Sequence, residues 1–307
     1  MKRFLIPAVL WWALDASAAD PRLLRLSGID VDRLKASPFG QFLLAQISLN
    51  SQEFSQFMGA TGFDPRRDLN EILMAASGGP ESKTGLLMIR GSFDPARIAA
   101  LIKAGGQAPE TYKGVEIFGG AKQGKGAQSV AFLDNATAIA GDLAGVKAAI
   151  DRQTQPSTLD PALAARVNDL SGSQDIWAVS TLPLSTLAGA VPDRNVSGAL
   201  QGDLLKAIES TSGGVKFGAS VDFSAEAATR SEKDAGSLAD VARFLLSLVQ
   251  SNAPKGPGPV AFLAMLQNVN ISTQASSVKL SFSIPESELE NLISQRNTPK
   301  RASQQLD

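Results

Sequence analysis

Residues 270–275 (NISTQA) and 278–284 (VKLSFSI) alternate polar and apolar side chains almost without fault, and only two serines separate them. A period of two places successive side chains on opposite faces of an extended strand, so each run reads as a strand with one face buried. Two strands joined by so short a connection must be antiparallel, because a parallel pair needs a crossover of a dozen or more residues. The same signature recurs along the chain. Asn70 to Ser77 and Thr84 to Arg90 flank the turn-rich Gly78-Gly79-Pro80, and Val215 to Val221 with Ala225 to Arg230 read as a hairpin. Val115 to Phe118, Ser129 to Leu133 and Thr137 to Ala140 follow one another as short strands, while Leu23 to Ile29 and Asp175 to Thr181 stand alone.

Helical periodicity fills the gaps between these runs. It covers about 31–60 with a break at Ser37-Pro38, then Asp94-Pro95 to Lys103, Leu143 to Arg152, and Leu184 to Ser210 with interruptions. Further helices are expected over Ser237 to Gln250, 260–267 and Pro285 to Ser294. Asp before Pro is a strong helix start: the carboxylate accepts orphan N–H groups, and proline at the first position has none to lose. Antiparallel strands with interspersed helices make an α+β chain, with helices covering one face of each sheet. The order strand, helix, two strands, helix, two or three strands, helix occurs twice and contains the β-α-β-β-α-β unit of ferredoxin-like folds. The expectation is therefore two tandem ferredoxin-like-type halves, 19–152 and 173–296. A polar linker at 153–172 carries Pro156, Pro161 and a short helix, and 297–307 forms a polar tail.

The first eighteen residues have another purpose. Lys2 and Arg3 precede an apolar run from Phe4 to Leu14, and Ala16-Ser17-Ala18 fits the small-residue pattern of a signal-peptide cleavage site. That run is about half the length needed to span a bilayer. An exported chain, periplasmic or extracellular, is expected, with no integral span once the leader is gone. Retention of the leader as a membrane anchor is the alternative.

Composition then removes whole classes of chemistry. Lys plus Arg total 29 and Asp plus Glu 30, so there is no net positive field for a nucleic acid. The chain has no Cys, which excludes thiolate nucleophiles, disulfides and a lipid-anchoring cysteine, and no His, which removes the commonest general base and metal ligand.

Gly119-x-x-x-x-Gly124-Lys125 matches most of a phosphate-binding loop, whose backbone N–H groups surround phosphates ahead of a helix. Here Gly126 stands where the magnesium-binding Ser or Thr belongs, and a strand pattern follows. The stretch reads as a hairpin tip, and no nucleotide is expected. No Ser-x-x-Lys occurs, since Ser212 with Lys216 and Ser251 with Lys255 are spaced one residue too far. Three carboxylate pairs, Asp30 with Asp32, Asp64 with Asp68 and Asp134 with Asp142, could do acid–base work, but each reads better as helix caps, turns or surface ion pairs. Asp30-Val31-Asp32 alone supplies too few oxygens for calcium. Trp177 is expected in the core, and the helix over 237–250, with Phe244, Leu245, Leu246, Leu248 and Val249, is expected to be buried between layers, the lining of a partner groove being the alternative.

The stretches SPFGQFLLAQ (37–46), TGFDPRRDLNEIL (61–73), GSFDPARIAALIKAGG (91–106), YKGVEIF (112–118) and AFLDNATAIAG (131–141) resemble a family of exported bacterial proteins of unknown function. The resemblance spans most of the first half and thins in the second. Its two Phe-Asp-Pro triplets are helix starts, and the family brings no known catalytic residue. The triplets at Asn135, Asn195 and Asn270 fit a glycosylation pattern that matters only in a eukaryotic secretory pathway, against which the resemblance argues. Together these readings lead to an exported, non-enzymatic binding or interaction protein with no catalytic, cofactor or metal residue assigned and its ligand or partner open. A hydrolase working through carboxylates is the alternative.

Overall fold

The computed structural model describes residues 24–46, 52–77, 85–119, 128–153, 159–182, 203–251 and 268–297. Twelve strands among them form one sheet, and every pairing is antiparallel. The first seven are β1 (Leu24–Asp30), β2 (Leu69–Ser77), β3 (Gly85–Gly91), β4 (Glu110–Tyr112), β5 (Val115–Gly119), β6 (Ser129–Phe132) and β7 (Thr137–Gly141). The others are β8 (Ile176–Ser180), β9 (Ile208–Phe217), β10 (Ser220–Thr229), β11 (Asn270–Gln274) and β12 (Ser277–Pro285). Across the sheet they run β11-β12-β10-β9-β8-β1-β2-β3-β7-β6-β5-β4. The fold is α+β, as the alternation implied. The two halves share one continuous sheet, so the ferredoxin-like comparison extends to element order and antiparallel pairing.

The halves meet where β1 pairs with β8, with Leu26 opposite Val179 and Gly28 opposite Trp177. Trp177 is 3% exposed, and its indole lies directly over Gly28. A Cβ at Gly28 would come within 2.5 Å of Trp177 Nε1. Glycine at 28 is what lets the largest side chain of the seam lie flat against the neighbouring strand.

Helices cover the two faces over different spans. On one face, Leu26, Leu73, Ala75, Met88, Ile139 and Trp177 form the main core with α6 (Leu143–Arg152) and α7 (Pro161–Ser173), which bury Val146 and Val167 into it. On the other face, beyond β8, Phe217 and Val221 pack against α1 (Val31–Ala36), α2 (Pro38–Gln46) and α10 (Glu286–Asn297) through Leu34, Phe39, Leu289 and Ile293. Also on that face, α9 (Glu232–Ser251) buries Ala235 and Ala239 against Val278. The remaining helices are α3 (Gln52–Thr61), α4 (Pro65–Asp68), α5 (Pro95–Ala104) and α8 (Asp203–Lys206). Phe57, Phe63, Phe93 and Phe132 make a chain of ring contacts linking α3 to β6.

Several boundaries differ from expectation for identifiable reasons. The stretch expected as a linker contains α7, thirteen residues long, and Val167 and Leu170 fix it to the core. The helix expected to reach Ser210 gives way to β9 at Ile208, and the β9–β10 turn lies at 218–219, not near 222–224. Gly213 and Gly214, which lie before the strand expected from Val215, sit mid-strand where neighbours approach closely. A Cβ at Gly213 would meet Ser224 O at 2.4 Å, and one at Gly214 would meet Gln174 Cγ at 2.5 Å. With three residues, β4 is too short to show alternation. The helix expected at 237 begins at Glu232, where Ser231 Oγ accepts from Asp234 N–H at 3.1 Å. Helix 260–267 and most of 184–210 lie outside the described residues.

Replacing Gly28 by Val forces the indole from its seat, and overpacking of this kind costs about 1–3 kcal/mol. Urea unfolding of Gly28→Val is expected to show that loss with an unchanged m-value. Trp177 is the one tryptophan left once residues 1–18 are removed. In the cleaved chain, fluorescence therefore reports the seam: a blue emission maximum that moves red in Gly28→Val.

Candidate functional site

The carboxylates singled out in sequence occupy structural posts. Asp30 Oδ1 caps α1 by accepting from Arg33 N–H at 2.9 Å, and Asp32 accepts from Asn70 Nδ2 at 3.0 Å. Asp64 caps α4 and is held by Arg66, whose hydrogen bond keeps the Asp64 carboxyl below the usual carboxylate range. The bond from Arg67 does the same for Asp68, which in turn accepts from the Asp64 N–H at 2.8 Å. Asp94 and Asp142 cap α5 and α6, and Asp134 closes a turn by accepting from Ala136 N–H at 2.7 Å. No pair converges on a cleft. Ser212 and Lys216 share one face of β9 with two residue steps of strand between them, while Lys255 lies outside the described residues.

The hairpin reading of Gly119 to Gln128 has its flanks in place: Gly119 pairs with Ser129, and β6 follows where a phosphate loop requires a helix. Residues 120–127 lie outside the described residues. Among the described residues no group of three His, Cys, Asp or Glu is placed to hold a metal.

Two other polar constellations are present. The first is an ionic belt across the centre of the sheet. Asp30, Glu71 and Arg90 are cross-strand neighbours on β1, β2 and β3. Arg33 reaches from α1 to Asp30 Oδ2 at 3.0 Å and to Asp175 Oδ1 at 3.6 Å, and donates to Gln174 O at 3.0 Å. Asp175 is 5% exposed and accepts from the Phe217 N–H at 2.7 Å. Glu71 meets Arg90 at 3.5 Å. Burial pushes the Glu71 carboxyl up, the Asp30 charge adds to the rise, and Arg90 opposes it. The belt joins α1, the end of α7 and three strands, so its role is structural. No sequence signal foretold it, because its members lie up to 145 positions apart, as Asp30 and Asp175 do.

The second is a polar recess of about 490 Å³ on the main-core face of β9–β12, opposite the face on which α9 and α10 pack. Its floor is the cross-strand row Ser224, Ser281 and Asn270, and on β9 the same row continues at Gly214, over which the Gln174 side chain lies. Beside it runs the row Lys216, Asp222 and Ser283. Gln174, at the end of α7, and Asn268 complete the lining. The backbones of Phe223 and Phe282 also border the recess, while their rings, stacked on each other at 4.6 Å, lie on the opposite face with Phe217 and Val221. Asp222 Oδ1 accepts from Ser283 Oγ at 2.5 Å and Ser220 Oγ at 2.8 Å, and these bonds hold the carboxyl below its usual range. The side chains of Gln174, Asn268, Asn270 and Ser281 make no hydrogen bond among the described residues. At its far side, Arg166 of α7 meets Glu226 of β10 at 2.6 Å and fixes the helix beside the sheet. The alternation that produced this face was legible in sequence, but the packing of α9 and α10 on the opposite face was not.

Glu71 binds a proton more readily in the folded chain than in the unfolded one. Its contribution to stability is therefore full below the ordinary glutamate value of 4.5 and is lost as pH rises through the raised folded value. Urea unfolding across that window is expected to show the decline in the parent chain and a flatter profile in Glu71→Gln, which keeps the shape and loses the charge.

No family model and no curated protein matches this chain. Among solved structures it is similar to crystal form IV of TP0453, with 11% identity, a TM-score of 0.52, and coverage of 94% of this chain and 95% of that one. Crystal form I of TP0453 aligns with 12% identity, a TM-score of 0.48, and coverage of 94% and 96%. At such identity the likeness is one of fold.

Proposed function

We propose that the protein is an exported, non-enzymatic binding protein and that the recess over β9–β12 is its binding site. The observation that carries this reading is the set of solvent-accessible amides and hydroxyls of Gln174, Asn268, Asn270 and Ser281, which have no side-chain partner among the described residues and which a ligand can bond in place of water. Asp222 is the one carboxylate among the described lining residues, whereas glycoside-type hydrolysis uses two flanking the scissile bond. That contrast favours binding over the carboxylate hydrolase. Export rests on Lys2, Arg3, the apolar run and Ala16-Ser17-Ala18, together with the resemblance of 37–46, 61–73, 91–106, 112–118 and 131–141 to exported bacterial proteins. No helix among the described residues is long and apolar enough to cross a membrane.

Two measurements test the proposal. Mass spectrometry of the protein from its native host is expected to find a chain beginning at Ala19, and an intact Met1 would favour the anchored alternative. A thermal-shift screen against polar small molecules is expected to find compounds that raise the unfolding midpoint of the parent but not of Ser224→Phe, whose ring fills the floor. Equal stabilisation of both proteins would remove the recess from consideration.

A further inference from the structure

We infer that the ionic belt is a proton-set latch on the seam, closing the junction of the two halves when one of its carboxyls is protonated and loosening it when all are charged. The belt carries an uneven set of charges. Asp175, Asp30 and Glu71 stand side by side: the Asp30 N–H donates to Asp175 O at 2.8 Å, and Asp30 lies directly opposite Glu71. Two guanidiniums answer these three carboxyls. Arg33 is 3.0 Å from Asp30 and 3.6 Å from Asp175, and Arg90 is 3.5 Å from Glu71. The charged groups of the surrounding elements are engaged elsewhere. On α1, Lys35 bonds the backbone oxygens of Arg67 and Leu69, and Asp32 accepts from Asn70. On α4, Arg66 and Arg67 hold Asp64 and Asp68, and on α7 Arg166 holds Glu226. Lys216 of β9 is exposed and stands opposite Asp222, while the β7 neighbour of Arg90 is the neutral Thr137. Three negative charges against two positive, in a partly buried row, favour the uptake of one proton.

Glu71 is the group that takes it. Its side chain is 15% exposed, against 31% for Asp30, and it meets a guanidinium only at 3.5 Å. Asp175 is also buried, but it accepts from the Phe217 N–H at 2.7 Å, a bond that favours its charged form. Burial and the Asp30 charge push the Glu71 carboxyl up against the pull of Arg90. From Glu71 a line of contacts leads to the seam. A charged Glu71 repels Asp30, because like charges directly opposite on neighbouring strands are destabilising. Asp30 holds the first turn of α1 twice, Oδ1 accepting from the Arg33 N–H at 2.9 Å and Oδ2 pairing with Arg33 Nε at 3.0 Å. Arg33 in turn donates to the carbonyls of Gly172 and Gln174 at the end of α7, at 3.2 and 3.0 Å. The β1–β8 ladder starts at the same place, with Ile29 opposite Ile176. Displacing Asp30 therefore frays α1 and this ladder together. The β5–β6 and β10–β12 ladders contain no member of the belt. Because Glu71 binds its proton more readily in the folded chain, the latch is closed below the ordinary glutamate value of 4.5 and opens as pH rises through the raised folded value. Asp64, Asp68 and Asp222, held below their ordinary value of 3.8 by their partners, act at lower pH and leave that window to the belt.

The test is amide hydrogen exchange of the full mature chain from pH 4.5 to about 8, each rate divided by the intrinsic rate at that pH. Three amides report the latch: Asp30 on Asp175 O, Arg33 on Asp30 Oδ1 and Phe217 on Asp175 Oδ2. Their protection is expected to fall about two- to fivefold as pH rises, the size of an unfavourable cross-strand pair, while the β5–β6 and β10–β12 amides hold constant. Glu71→Gln, which has the shape of the protonated acid, is expected to keep the three reporters at their low-pH protection throughout. Asp30→Asn retains a capping side chain and removes the neighbouring charge, and it is expected to flatten the same profile. A fall spread equally over the β5–β6 and β10–β12 amides would make the effect one of global stability and overturn the latch. So would reporters that stay flat in the parent, or that fall as far in both variants as in the parent.

Discussion

The contact between Trp177 and Gly28 is the one on which the continuity of the sheet depends. Strands β1 and β8 open the two halves, and their pairing is the sole ladder that joins seven strands to five. An indole laid across a glycine lets two backbones approach at hydrogen-bonding distance while the largest side chain in the seam stays buried. The main core is assembled around it, with Leu26 and Val179 on the same face and α6 and α7 above. The ionic belt reinforces the same junction by polar means. Arg33 ties α1 to the end of α7, and Asp175 holds β9 through the Phe217 amide. A buried carboxylate with these partners adds little net stability compared with an apolar core, but breaking it leaves a charge unpaired.

The distribution of helices follows from that junction. On the main-core face, α6 covers the first half and α7 lies over the junction, reaching β10 through Arg166 and Glu226. On the opposite face, α1, α2, α9 and α10 cover the second half. Among the described residues, the main-core face of β9–β12 meets only α7, through Arg166 and Glu226, and its serines, asparagines and charges are largely exposed. The recess is the part of that face where Ser224, Ser281 and Asn270 align across three strands. Its composition suits a ligand held by hydrogen bonds and not by burial, and such sites bind through geometry more than area.

Legibility varied with the range of the physics involved. Helix starts at Asp64-Pro65, Asp94-Pro95 and Asp142 were readable because capping is settled within three residues. The β11–β12 hairpin was readable because alternation and a short turn are local. The start of β9 was not legible, because the close approaches of Gly213 to Ser224 and of Gly214 to Gln174 are long-range contacts. The 153–172 stretch was expected as a polar linker carrying a short helix; a helix of thirteen residues, α7, lies there, and Val167 and Leu170 fix it to a core that local composition does not show. The candidate site was barely legible. Its ten lining residues come from five separate stretches, and none of them forms a motif.

By itself the sequence determined the fold class, the antiparallel sense of the strands, the helix caps and the exclusion of histidine and cysteine chemistry, because each depends on residue type or on neighbours a few positions away. The tertiary structure alone decided that the two halves share one sheet, that Trp177 seals them over Gly28, and on which face of β9–β12 the helices α9 and α10 pack. Those outcomes depend on contacts between residues as far apart as Gly28 and Trp177, and the periodicity of a strand says that one face is buried without saying against what.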